Sequence, residues 1–330
     1  MTLKITIIGL GQVGTSIGMA LKSYTEKVER VGHDKSRRIA NQAKNMGAVD
    51  RVAITLSGSV KKADIVFLTL PMQEIKPVLE HIAQDLKSDA LVIDTAPIKS
   101  PVQSWMEEIL PEGVSSVGIT PVINPEYLEE SAYGVDAAHE DLFEDSLLAV
   151  VTGKKTDQTA VKMATQLIEL LGGDPFFIDP AEIDGLMTQI HLLPRLLASA
   201  LLDATVDQPG WREAQKLAGK EFARVSKPLS ADDQPGAVAS MMAQNQENTV
   251  RVINGLIRTL VRYRELTEAG SEDELADLFV NYQRQRDLWW QDRQEGKWSD
   301  NIASQKLERS SMLGDLFGFR GPRQPDEDEE

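Results

Sequence analysis

The 330-residue chain contains no cysteine. Disulfides and thiolate metal sites are thereby excluded within it. Histidine is scarce, limited to His33, His81, His139 and His191, so few side chains change charge near neutral pH. No uninterrupted apolar run reaches about 18 residues, and no membrane span is expected. Neither an H-E-x-x-H pattern nor clustered carboxylates of EF-hand spacing occur, and no metal site is expected. The opening MTLKITIIG enters an apolar strand pattern directly, without the charged, apolar and cleavage regions of a signal peptide. A cytoplasmic location is the expectation from these absences. Basic residues are also outnumbered, 35 Lys and Arg against 51 Asp and Glu, for a net charge of −16. Such a surface repels phosphate backbones, so nucleic acid is not an expected partner.

What is present is a regular alternation. Short apolar, β-branched runs at 3–9, 28–33, 63–70, 90–95, 114–120, 147–152 and 176–180 are candidate strands. Helical patterns at 12–23, 36–46, 72–86, 101–109 and 156–171 separate most of them. Strand–helix alternation of this kind points to an α/β fold, an N-terminal Rossmann-type domain with a doubly wound parallel sheet. After Pro180 the pattern becomes helical throughout, at 181–206, 211–225, 235–268 and 271–294. The expected organisation is a dinucleotide-binding domain over 1–178 and an all-helical domain over 179–295. An acidic tail, expected to be mobile, occupies 296–330 and ends in DEDEE.

The strongest local motif is Gly9-Leu10-Gly11-Gln12-Val13-Gly14, placed after an apolar strand and at the start of a helix. The first glycine permits a tight turn, the second admits a pyrophosphate, and the third lets helix and strand pack closely. The helix N-terminus adds free N–H groups for the anion. Asp34 follows 20 residues after Gly14, at the end of the next strand pattern. There a carboxylate holds the adenosine ribose hydroxyls of NAD, or else caps the helix starting near Ser36. Lys35, Arg37 and Arg38 stand beside it, a cluster suited to the 2′-phosphate of NADP. NAD is the favoured cofactor because the acid comes first, with NADP left open. Leu70 and Pro71 end another strand pattern, at the edge of the same crevice.

The order of motifs resembles the prephenate/arogenate dehydrogenase family of tyrosine biosynthesis. The resemblance rests on GLGQVGTSIG, HDKSRRIANQAKNMGAVDR, ADIVFLTLP, DTAPIKSPV, GVDAAHEDLF, IDGLMTQIHLLPRLLASAL and AGKEFARVSKPL, spread over roughly residues 3–270. It implies an N-terminal domain for a nicotinamide cofactor. It also implies a helical domain that completes the substrate site and joins two subunits as a homodimer. The implied reaction is oxidative decarboxylation of a cyclohexadienol: hydride goes to the nicotinamide, a hydroxyl proton and carbon dioxide leave, and the ring becomes aromatic.

The resemblance also locates departures. The family's H-P-M-x-G histidine falls at Thr120 in GITPV, and the serine of D-x-x-S-x-K falls at Pro97 while Lys99 keeps the lysine. The S-H-L-P-H stretch reads His191-Leu192-Leu193-Pro194-Arg195, and the arginine for the substrate carboxylate falls at Lys227, after Ser226. The implied substrate contacts for a small carboxylate are thus Lys99, Arg195, Ser226 and Lys227, with Thr120 and His191 as the candidate catalytic groups. Asp184, Thr188, His191 and Arg195 recur on one helical face. That stripe either lines the cleft between domains or forms an inter-helix hydrogen-bond network at a dimer contact. Pro194 is expected to kink the helix nearby. Two alternative functions stay open: a dehydrogenase of the same build acting on another small carboxylate, and a nucleotide-binding relative without catalysis.

Overall fold

The computed structural model describes residues 2–229 and 235–296. The expected tail therefore lies, but for Gly296, outside the described residues. Eight strands form one sheet: β1 (Leu3–Ile8), β2 (Val28–His33), β3 (Arg51–Val52), β4 (Ile65–Leu68), β5 (Leu91–Asp94), β6 (Ser115–Pro121), β7 (Leu147–Thr152) and β8 (Asp174–Phe177). Their order is β3-β2-β1-β4-β5-β6-β7-β8. Ile5 pairs with Ile65 and Ile65 with Leu91, all parallel. The sheet is not parallel throughout, because β7 runs antiparallel to β6, with Gly118 opposite Val151.

The central strands are apolar on both faces, as a sheet covered on both sides requires. Ile5, Ile7, Phe67 and Ile93 enter one core cluster with α1 (Gln12–Ala20), α2 (Arg37–Asn45) and α6 (Gln158–Leu170). Ile8, Val66, Leu68 and Val92 enter a second, with α3 (Leu56–Val60), α4 (Met72–Ile82) and α5 (Ser100–Ile109). Burial of a single such side chain is worth roughly 1.5–3 kcal/mol.

The second half is helical. Its first run comprises α7 (Pro180–Met187), a π turn (Thr188–Leu192) and α8 (Leu193–Thr205). The π turn sits just before Pro194, which lies in the first turn of α8 and cannot donate a helical hydrogen bond. Next come α9 (Trp211–Leu217), α10 (Lys220–Ser226), α11 (Pro235–Gln244), α12 (Gln246–Glu268) and α13 (Glu272–Gln294). Leu192 and Met241 join the core cluster on the α4–α5 side, so the helical half docks there. The end of α13 returns to the sheet domain, where Arg293 donates to the Ile123 carbonyl.

The continuous helix Pro180–Thr205 is long and apolar enough, by length and composition, to cross a membrane, with a mean hydropathy of 1.2. A search for uninterrupted apolar runs misses it because Asp184, His191 and Arg195 punctuate the sequence. Only 17% of its apolar window is buried within the chain. Of its polar residues, Asp184 and Thr188 are buried within the protein.

Candidate active site

Gly9 leaves β1 at φ 93°, a left-handed conformation that glycine adopts at no steric cost. The loops after β1 and β4 nearly touch, and a Cβ at Gly9 would lie 2.3 Å from the Thr69 carbonyl oxygen. A Cβ at Gly14 would lie 2.0 Å from the Gly9 oxygen. Gly11 differs, since a Cβ there would meet nothing within 4 Å. The turn is therefore closed where it packs and open where it faces outward. Gly11 caps α1 without a side-chain hydrogen bond, so the first N–H groups of that helix, including those of Gln12 and Val13, lack intrahelical partners. The Gln12 amide side chain donates to the Ala137 carbonyl at 3.0 Å, and Val13 packs against the core. Both side chains are thus engaged within the protein.

A cleft of about 370 Å³ opens at this point, between the carboxyl ends of β1, β2 and β4. Gly9, Gly11, Asp34, Leu70 and Pro71 all line it, whereas Gln12, Val13 and Gly14 are not among its lining residues. Asp34 is held by two backbone donors, Leu10 N to Oδ2 at 2.8 Å and Ser36 N to Oδ1 at 2.7 Å. It therefore braces the glycine loop and the start of α2 at once, while Ser36 is the N-cap proper. A carboxylate offers about four lone-pair sites, so capacity remains for ribose hydroxyls. The cleft also contains residues that sequence reasoning passed over. Ile39, Leu56 and Val78 give it an apolar wall, and Glu74, Gly134 and Val135 edge it together with Lys35, which the sequence had placed beside the ribose position. Gly134 and Val135 belong to GVDAAHEDLF, whose presence in the family resemblance was the available signal.

That motif is fastened to α1 and α2. His139 N donates to Ser16 Oγ at 3.0 Å, and Gln42 Nε2 donates to Asp136 Oδ1. The His139 ring stacks on Tyr127 at 3.9 Å, with its Nε2 3.0 Å from Glu130 Oε2. Tyr127 donates its hydroxyl to Asp141 Oδ1 at 2.7 Å. This bond, with partial burial, pushes the phenol up to about 12.

The expected substrate groups are spread over three places. Thr120 lies near the end of β6, buried, and its Oγ1 donates to the Ala96 carbonyl at 3.1 Å. Lys99 is fully buried, and its ammonium donates to Asp94 Oδ1 (2.7 Å), Asp94 O (3.3 Å) and Ile119 O (2.9 Å). Burial pushes the Asp94 carboxyl up and the Lys99 amine down, and their mutual attraction opposes both shifts. Lys99 was expected to read a substrate anion; in this arrangement its donors instead tie β5 to β6.

Asp184 reaches from α7 to the start of α5, accepting from Lys99 N at 2.5 Å and Ser100 N at 3.1 Å. Thr188 Oγ1 donates to the Asp184 carbonyl, and Asn245 Nδ2 donates to both. Half of the polar stripe is thus a hydrogen-bond network inside one chain. The other half is less buried: His191 is partly exposed, and Arg195 Nη1 donates to the His191 carbonyl at 2.8 Å. On the far side, Ser226 Oγ donates to Phe222 O at 2.7 Å. Lys227 Nζ reaches the Glu130 carbonyl at 3.1 Å and lies 5.7 Å from the Tyr133 ring centroid. Lys227 therefore meets the loop that leads to Gly134 and the cleft.

Comparison with known proteins agrees with this layout. The family model described as the nucleotide-binding domain of prephenate dehydrogenase matches residues 17–175, and the one described as its dimerization domain matches 179–281. A prephenate dehydrogenase of Bacillus subtilis is 25% identical over 287 residues, 86% of this chain and 75% of the relative. A cyclohexadienyl dehydrogenase of Zymomonas mobilis is 24% identical over 284 residues, 86% of this chain and 94% of the relative. Among solved structures, prephenate dehydrogenase from A. aeolicus, in complex with hydroxyphenyl propionate and NAD+, shares the fold with a TM-score of 0.73 at 23% identity. The match covers 87% of this chain and 98% of that one. Synechocystis arogenate dehydrogenase shares it with a TM-score of 0.66 at 24% identity, covering 87% and 100%. With its sheet and helical halves matched in the same order, the chain belongs to the prephenate dehydrogenase family.

Proposed function

We propose that this protein is an NAD-dependent dehydrogenase of the prephenate/arogenate type. The observation that carries the reading is the open glycine turn facing a cleft that Asp34 also lines. A dinucleotide bound there supplies the hydride acceptor. Gly11 leaves room for its pyrophosphate, the N–H groups opening α1 face the anion, and Asp34 takes the adenosine ribose. The likeness to a structure holding NAD+ and the carboxylate at the ribose position support NAD over NADP. The nearby relatives support a cyclohexadienol as the small carboxylate substrate.

The chain's own groups divide the remaining work. Thr120 stands where the family histidine falls; its hydroxyl can hydrogen-bond a substrate hydroxyl but cannot store its proton at neutral pH. His191, the partly exposed imidazole of the helical half, takes that proton. Arg195 and Lys227, with Ser226 beside the latter, supply cationic and polar contacts for carboxylates. At position 227 lysine keeps the positive charge but gives up the bidentate grip of arginine. Lys99 acts indirectly, by fixing the strand ends that carry Thr120.

Residues 1–178 form the dinucleotide domain and 179–295 the substrate and dimerisation domain in this reading, supported by the family boundaries. The active form is a homodimer, located in the cytoplasm. No comparison favours another carboxylate substrate or a purely nucleotide-binding role. The test is spectrophotometric: with NAD present, prephenate or arogenate should produce the reduced-nicotinamide absorbance. Absence of that signal with both compounds, in protein that binds NAD, overturns the assignment.

A further inference from the structure

We infer that Glu74 works with Asp34 to reject the 2′-phosphate of NADP, by holding Lys35 across the mouth of the cleft. The inference rests on the dinucleotide reading above and adds a specificity residue to it. In the sequence, Lys35, Arg37 and Arg38 crowd the ribose position with positive charge. By charge alone that cluster favours a phosphorylated ribose.

The structure removes this advantage. Of the three cations, only Lys35 is among the residues lining the cleft. Arg38 turns along α2 to Gln42 Oε1 at 3.5 Å. Lys35 Nζ meets Glu74 Oε1, from the first turn of α4, and Glu74 lines the same cleft. The ribose end thus presents two carboxylates to one ammonium. Asp34 cannot swing away, because backbone N–H groups hold both its oxygens. A phosphomonoester carries about −1.5 to −2 charges at neutral pH and meets this edge as a like charge. Ribose hydroxyls instead donate to it. The Lys35 side chain is 71% exposed, so the pair opens readily. Lys35 can therefore turn to a phosphate once Glu74 no longer competes for it.

The experiment titrates NAD and NADP separately, by calorimetry at low salt, into wild type, Glu74→Gln and the double variant Glu74→Gln/Lys35→Met. The ratio Kd(NADP)/Kd(NAD) should fall about 5–10-fold in Glu74→Gln, the effect of one removed charge at a few ångströms in a wet site. It should rise again in the double variant, and the gain should shrink with added salt. A ratio unchanged by Glu74→Gln while NAD still binds overturns the inference and leaves the cofactor reading standing. Wild-type preference for NADP overturns it as well. Wild type that binds neither dinucleotide removes the cofactor reading itself, and the inference with it.

Discussion

At the scale of single residues, the glycine turn separates packing from function. Gly14→Ala places a methyl 2.0 Å from the Gly9 oxygen and 2.5 Å from Thr69 Oγ1. It should cost about 1–3 kcal/mol in urea unfolding, the range for overpacked sites. A Cβ at Gly11 meets nothing within 4 Å, so Gly11→Asp should fold normally and lose the dinucleotide. Lys99 is the second case. Lys99→Met leaves Asp94 buried without its partner and should destabilise by about 3–5 kcal/mol, again read by urea unfolding. Lys99 was read from sequence as an anion binder because sequence gives charge and not depth. Nothing in DTAPIKSPV tells a sealed ammonium from one facing a ligand.

Tyr127 provides the pH test at this scale. Its hydrogen bond to Asp141 raises the phenol from its ordinary 10.0 to about 12. The folded protein therefore keeps a proton that the unfolded chain loses between those values. The stabilisation is fully present below pH 10 and disappears as pH rises to about 12. Tyr127→Phe should be less stable than wild type at neutral pH, with the gap closing over that window. A gap that stays constant through it contradicts the assignment.

At the scale of elements, Asp184 is the joint between the two halves. Its carboxylate accepts from the backbone N–H groups of Lys99 and Ser100 at the start of α5, much as an N-cap does from its own helix. Asp184→Ala should cost about 1–2 kcal/mol, and hydrogen exchange at those two amides should accelerate. Unchanged protection there would remove the joint. The strands at 28–33 and 147–152 were legible in sequence to the residue. The two-residue edge strand β3 was not, because so short a segment has no periodicity. The direction of β7 was not legible either, since local pattern does not encode which way a strand runs. The helical pattern over 235–268 breaks at Asn245, where the side chain turns to Asp184 and Thr188. A tertiary bond, absent from local propensity, ends that helix.

At the scale of the whole molecule, the helical half leaves apolar side chains uncovered, among them Val250, Ile257, Leu260, Phe279 and Val280. The family model calls this region a dimerization domain. Sedimentation should give a dimer, and Ile257→Glu with Leu260→Glu should shift it to monomer, because two buried charges would face an apolar contact. A wild-type monomer at micromolar concentration contradicts the homodimer. The central claim, however, is that the open turn at Gly11 and the carboxylate of Asp34 form a dinucleotide site. Calorimetric titration of NAD into wild type and Gly11→Asp tests it most directly. The account requires saturable binding in the first and none in the second; no binding in wild type, or equal binding in both, contradicts it.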